Sequence, residues 1–142
     1  MPSLIQQRTP HDCAICCMAM LTGRTYEDVM TIAGSDFDPE RGMRNEHAML
    51  DRLGFKYTFE NGHAVGDMVA MHRAYALSPD FFRGFAWGRR ALLSVPSLNY
   101  PGQWHMVFYD GHTLFDPSPG RTYARFEDLL PEEIIIFREG GA

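Results

Sequence analysis

The chain has 142 residues, 45% of them hydrophobic and 22% charged, with a formal net charge of -5. That length fits one domain, taken as residues 1–142, with room for a self-sufficient core. The negative balance argues against nucleic acid as the main partner, because phosphate binding needs a surplus of Lys and Arg.

No apolar run is long enough to span a bilayer, so no membrane segment is expected. The first residues show no basic stretch followed by a long apolar one, so no signal peptide is expected either. Three cysteines, all between Cys13 and Cys17, cannot make a disulfide framework, and the expected setting is reducing and cytoplasmic.

Residues 12 to 22 are apolar nearly all round and end at Gly23, which predicts a short buried helix with a glycine cap. A second helix follows, with Thr25 as N-cap, Asp28 in its third helical position, and Tyr26, Val29, Met30 and Ala33 on its apolar face. A third runs from about Asn45 to Leu53 and stops at Gly54. Alternation of Phe55, Tyr57 and Phe59 predicts a strand before an Asn61-Gly62 turn. Residues 67 to 77 are read as a helix, and Ser78-Pro79-Asp80 as a further helix start. The second half changes period: Ala91 to Val95, Trp104 to Tyr109, His112 to Asp116 and Ile134 to Phe137 are predicted strands. Helices first and strands later give an α+β domain, its N-terminal helices packed on a C-terminal antiparallel sheet.

Cys13 falls where the first helix begins, beside unpaired backbone amides and the positive end of the helix dipole. A thiol in such a place, with a cationic partner, is readily ionised, and the thiolate is the nucleophile. Free cysteine is also a common small core residue, which is the reading given to Cys16 and Cys17. Asp110-Gly111 between two apolar runs predicts a two-residue hairpin turn. Counting outward, Tyr109 faces His112 and His105 faces Asp116, so register alone sets an imidazole beside a carboxylate. That pair is what a base and its orienting group require. A longer loop would move the pairing. Of the other histidines, His11 is placed near the cleft, His112 at a hairpin tip, His63 after a turn, and His47 and His72 in helices.

The run Gln7-Arg8-Thr9-Pro10-His11-Asp12-Cys13, followed by a small, apolar helix and Gly23, resembles the start of the bacteriocin-processing peptidase domains. These are papain-like cysteine peptidases found at the N-termini of peptide-exporting ABC transporters. Gly42 to Phe55, with Leu50 and Leu53-Gly54-Phe55, resembles the family's next helical region. His105 to Gly120, with Asp116-Pro117-Ser118-Pro119-Gly120, resembles its histidine strand and following turn. The resemblance implies a papain-like fold and a cysteine peptidase without cofactor or metal. Cys13 would be the nucleophile, His105 the base and Asp116 its orienting residue, with Gln7 as an oxyanion-hole donor beside the backbone N–H of Cys13. The implied partner is a peptide or protein substrate, with small residues at the cleavage site. These 142 residues hold no transporter segment, so the family's leader-peptide substrate is not assumed.

Two other classes fit parts of the pattern. Cys13-Ala14-Ile15-Cys16 has the spacing of a dithiol oxidoreductase, and His11, Cys13, Cys16 and Cys17 contain zinc-ligand types without a completing second pair. A non-catalytic peptide-binding domain of the same fold is a further alternative.

Overall fold

A computed structural model describes residues 4–60, 63–72, 88–97, 102–118 and 132–137. Helix α1 spans Cys13–Thr22, and every residue from Ala14 to Leu21 is buried. Its apolar circumference explains this: a helix without a polar face must lie between other elements. It ends at Gly23, in the left-handed conformation (φ 73°), whose N–H returns to the Ala19 carbonyl. Helix α2, Tyr26–Ala33, starts at Thr25, whose hydroxyl accepts from the Asp28 N–H at 3.0 Å. Helix α3, Glu46–Arg52, starts at Asn45, capped in the same way by the Ala48 N–H.

Between α2 and α3 lies a short antiparallel pair, β1 (Phe37–Asp38) and β2 (Gly42–Met43). A second pair follows, β3 (Tyr57–Glu60) with β4 (His63–Gly66). The main sheet contains β5 (Met68–His72), β6 (Ala91–Pro96), β7 (Trp104–Tyr109), β8 (Leu114–Phe115) and β9 (Glu133–Phe137). Its order is β5-β9-β6-β7-β8, and every neighbouring pair is antiparallel. The protein is thus α+β, with helices first and an antiparallel sheet later.

Strand side chains alternate between two buried faces. Leu92, Met106, Phe108, Ile135 and Phe137 join the helices in one core cluster. Ala91, Leu93, Val95, Val107, Tyr109, Ile134 and Ile136 form a second on the opposite face. Helix α1 packs on β7, and Cys13 at the start of α1 and His105 near the start of β7 line one cleft.

Three expectations are corrected. Residues 68 to 72 are strand β5, not helix, and His72 is therefore a strand residue. Met, Ala and His carry little β preference, so the ladder with β9, from Met68–Phe137 to His72–Glu133, decides the conformation. The predicted strand His112–Asp116 shrinks to Leu114–Phe115, because the hairpin loop holds residues 110–113 rather than two residues. Asp110 causes the change: its Oδ1 accepts from the His112 N–H at 2.9 Å and the Thr113 N–H at 2.7 Å, taking both from the ladder. The proposed helix start at Ser78-Pro79-Asp80, the Asn61-Gly62 turn and residues 73 to 77 lie outside the described residues.

Candidate active site

The α1–β7 contact opens onto a cleft of about 430 Å³. Cys13 and Ala14 line it from α1, His105 and Met106 from β7, and Gly42 and Met43 from β2. His11 also lines it, and Trp104, 60% exposed, stands at its edge beside His105. Gly42 has φ +93°, and a Cβ there would meet the His11 carbonyl oxygen at 2.9 Å. Only glycine lets the β1–β2 wall lie this close to the segment leading into Cys13.

The His105 side chain is 11% exposed and that of Asp116 is 4% exposed. His105 Nε2 lies 2.8 Å from Asp116 Oδ1, and the Ser118 hydroxyl lies 3.1 Å from the same nitrogen. The Ser118 N–H donates to Asp116 Oδ1 at 2.9 Å. The Cys13 thiol lies close enough to His105 to help raise the imidazole's pKa, and both line the cleft. Since Nε2 is engaged by Asp116 and Ser118, Nδ1 is the nitrogen left to face sulfur.

The electrostatics follow from this arrangement. Burial by itself would lower the pKa of His105. The bonds and charges of Asp116 and Cys13 outweigh it and raise the imidazole to about 9. Burial works against ionisation of Asp116 too, but the bonds from His105 and Ser118 hold the carboxyl below its usual range. An imidazolium is therefore supported between a carboxylate and a thiol, the arrangement that general acid–base and nucleophilic catalysis share.

Of the residues singled out in the sequence, Cys13, His105 and Asp116 come together. The His105–Asp116 contact survives the misjudged loop for a simple reason. The observed pairing, Phe108 with Phe115 and Tyr109 with Leu114, differs from the expected one by two residues. A shift of two keeps each side chain on its own face, whereas a shift of one would have reversed it. Continued past the last paired residue, the observed register carries His105 to Ser118, the residue sequence reasoning passed over. The signal for it was the Asp-x-Ser turn, in which a serine N–H returns to the aspartate.

Gln7 does not line the cleft. It is half-buried, and its Nε2 donates to the Thr9 carbonyl at 3.1 Å. Its backbone N–H donates at 2.7 Å to the carbonyl of Pro117, which ties it to the turn carrying Asp116. Cys16 and Cys17 are fully buried, as their reading as core requires. Burial, with Asp12 and Cys13 nearby, pushes the Cys16 thiol up to about 12. Burial also pushes Cys17 well up, and its thiol donates to the Met106 carbonyl at 3.3 Å. Thiols held protonated in this way are poor partners for disulfide exchange or zinc. Among the described residues, no group of three or more His, Cys, Asp or Glu side chains is arranged to hold a metal ion. Among them, too, no helix is long and apolar enough to cross a membrane.

Comparison with protein-family models, with curated proteins and with solved structures finds no match to the chain.

Proposed function

We propose that the chain is a thiol-dependent hydrolase, a cysteine peptidase of papain-like fold, cleaving a peptide, isopeptide or side-chain amide bond. The observation that carries this reading is the half-buried His105, bonded through Nε2 to Asp116 and lining one cleft with Cys13. The resemblance of the Gln7–Cys13 and His105–Gly120 segments to the bacteriocin-processing peptidases supports the same assignment, and with it a peptide with small residues at the cleavage site. Free thiols suit a reducing, cytoplasmic setting.

In the proposed reaction the Cys13 proton already resides on His105 as an imidazolium, and the sulfur attacks the scissile carbonyl carbon. The C–S bond forms, and the carbonyl electrons move to oxygen. Backbone N–H groups at the start of α1 stabilise that oxyanion, and the Gln7 amide joins them on turning from the Thr9 carbonyl to which it donates in the free protein. As the tetrahedral species collapses, His105 protonates the leaving amine and the C–N bond breaks. Water, deprotonated by His105, then attacks the thioester, releasing the acid and restoring the thiol. Asp116 keeps the imidazole in the orientation that both proton transfers need.

The test is incubation with a peptide library read by mass spectrometry, for the native protein and for Cys13→Ala and His105→Ala. Cleavage by the native chain should fall by about 10³-fold or more in each variant while circular dichroism stays unchanged. Cleavage retained in a folded Cys13→Ala variant would exclude the assignment.

A further inference from the structure

Asp12 occupies the N-cap position of α1, where an aspartate ordinarily accepts from the first-turn N–H groups. Here its side chain makes no bond to the helix. The carboxylate instead turns backward and is fully buried. Oδ2 accepts from the Arg8 N–H at 3.0 Å and from the Tyr26 hydroxyl at 2.6 Å, while Oδ1 accepts from the Thr9 N–H at 3.3 Å. The Arg8 guanidinium closes the arrangement from outside, 3.9 Å over the Tyr26 ring and 2.8 Å from Glu27 on the surface.

We propose that Asp12 is a positioning residue for the oxyanion side of the Cys13 site. The inference rests on the reading of Cys13 as the nucleophile. The carboxylate folds residues 8 to 12 into a closed turn and anchors that turn to Tyr26 of α2. The far end of the turn is anchored separately, by the Gln7 N–H on the Pro117 carbonyl beside Asp116. Cys13 and Gln7 are thereby held in a fixed relation to each other and to His105. The diverted carboxylate also leaves the N–H groups at the start of α1 without a competing side-chain acceptor. An oxyanion forming on a Cys13 adduct needs such donors. A capping side chain would take one of them.

The role can be separated from simple structural support by two reactions of the same sulfur. Iodoacetamide is attacked at a saturated carbon: the S–C bond forms, iodide leaves and no oxyanion arises. p-Nitrophenyl acetate is attacked at its carbonyl, passes through a tetrahedral oxyanion, then expels p-nitrophenolate and leaves an acetyl thioester. Asp12→Asn replaces one acceptor oxygen by an N–H₂ group facing backbone N–H. Tyr26→Phe removes the α2 anchor and frees the carboxylate to swing to the helix.

In both variants the p-nitrophenolate burst should slow, about tenfold or more for Asp12→Asn and less for Tyr26→Phe, taking one weakened oxyanion donor as the guide. Alkylation by iodoacetamide should stay within about twofold of the native rate in both variants, since that reaction forms no oxyanion for the helix N–H groups to stabilise. Bursts unchanged in both variants, or bursts and alkylation falling in equal proportion, would overturn the positioning role. Tyr26→Phe keeps the aromatic core contact, so the test survives if Asp12→Asn fails to fold. A native protein that shows alkylation and burst both insensitive to His105→Ala overturns the reading of the site itself, and the role of Asp12 with it.

Discussion

Cys13 and Cys17 are one turn apart on the same helix, yet their surroundings are opposite. Cys13 begins α1, opens onto the cleft and meets an imidazole that Asp116 holds charged. Cys17 lies inside the core, its thiol donating to the Met106 carbonyl and kept protonated by burial. The difference does not come from the residue. It comes from position along a helix that is apolar all round: the first residue opens onto the cleft, and Ala14 to Leu21 behind it are buried. A thiol is useful only where one end of its environment is wet and the other carries positive charge.

The sharpest way to break that contrast is to remove the charge on the Cys13 side. Asp116→Asn should leave the fold intact and lower turnover by about 10²- to 10⁴-fold, through loss of imidazole orientation. It should also change the pH profile. His105 has a folded pKa of about 9, above its ordinary 6.5, so the imidazolium contributes stability that is fully present below 6.5 and lost as pH rises through 9. Asp116 shifts the other way: its contribution is present above its ordinary 3.8 and lost as pH falls below that value. Turnover should accordingly decline on the alkaline side near pH 9, as the proton donor for the leaving amine is lost. In Asp116→Asn that limb should move to lower pH. A limb that stays in place would assign it to another group.

Gln7→Ala tests the oxyanion side. It should reduce kcat by about 10- to 10³-fold with KM little changed, the pattern of an interaction made only in the transition state. The Thr9 bond seen for its amide makes this the more exacting test of the two, and an effect confined to KM would place Gln7 in substrate binding.

The smallest effect should come from the buried side of the comparison. Cys17→Ala removes a sulfur from a closed core and should cost about 1–2 kcal/mol, a few degrees in Tm, with turnover per folded molecule unchanged. Loss of activity without loss of stability would mean that the core thiol takes part in the chemistry.

The helix side of the fold was legible because its signals are local. Thr25 and Asn45 cap, Gly23 terminates, and an apolar run between them has only one use. The sheet was less legible because its decisions are made elsewhere in the chain. Met68–His72 is a strand because Glu133–Phe137 lies beside it, a fact no window around residue 70 contains. The hairpin before Asp116 was misjudged because Asp-Gly favours a tight turn, while the Asp110 side chain closes a longer one. The pairing of His105 with Asp116 was nevertheless available, since an error of two residues preserves the face. Asp12 and Ser118 were missed as participants for a common reason. Each acts through bonds that double back on its own loop, and sequence spacing shows neither which way a cap residue turns nor which nitrogen a serine reaches.

The most direct measurement is site-resolved alkylation. Brief treatment of the native protein with iodoacetamide at about pH 6, followed by peptide mapping, should modify Cys13 almost alone. The His105→Ala variant should react far more slowly at the same pH, because no imidazolium remains beside the sulfur. Equal labelling of Cys16 or Cys17, or a Cys13 rate indifferent to His105, would contradict the account.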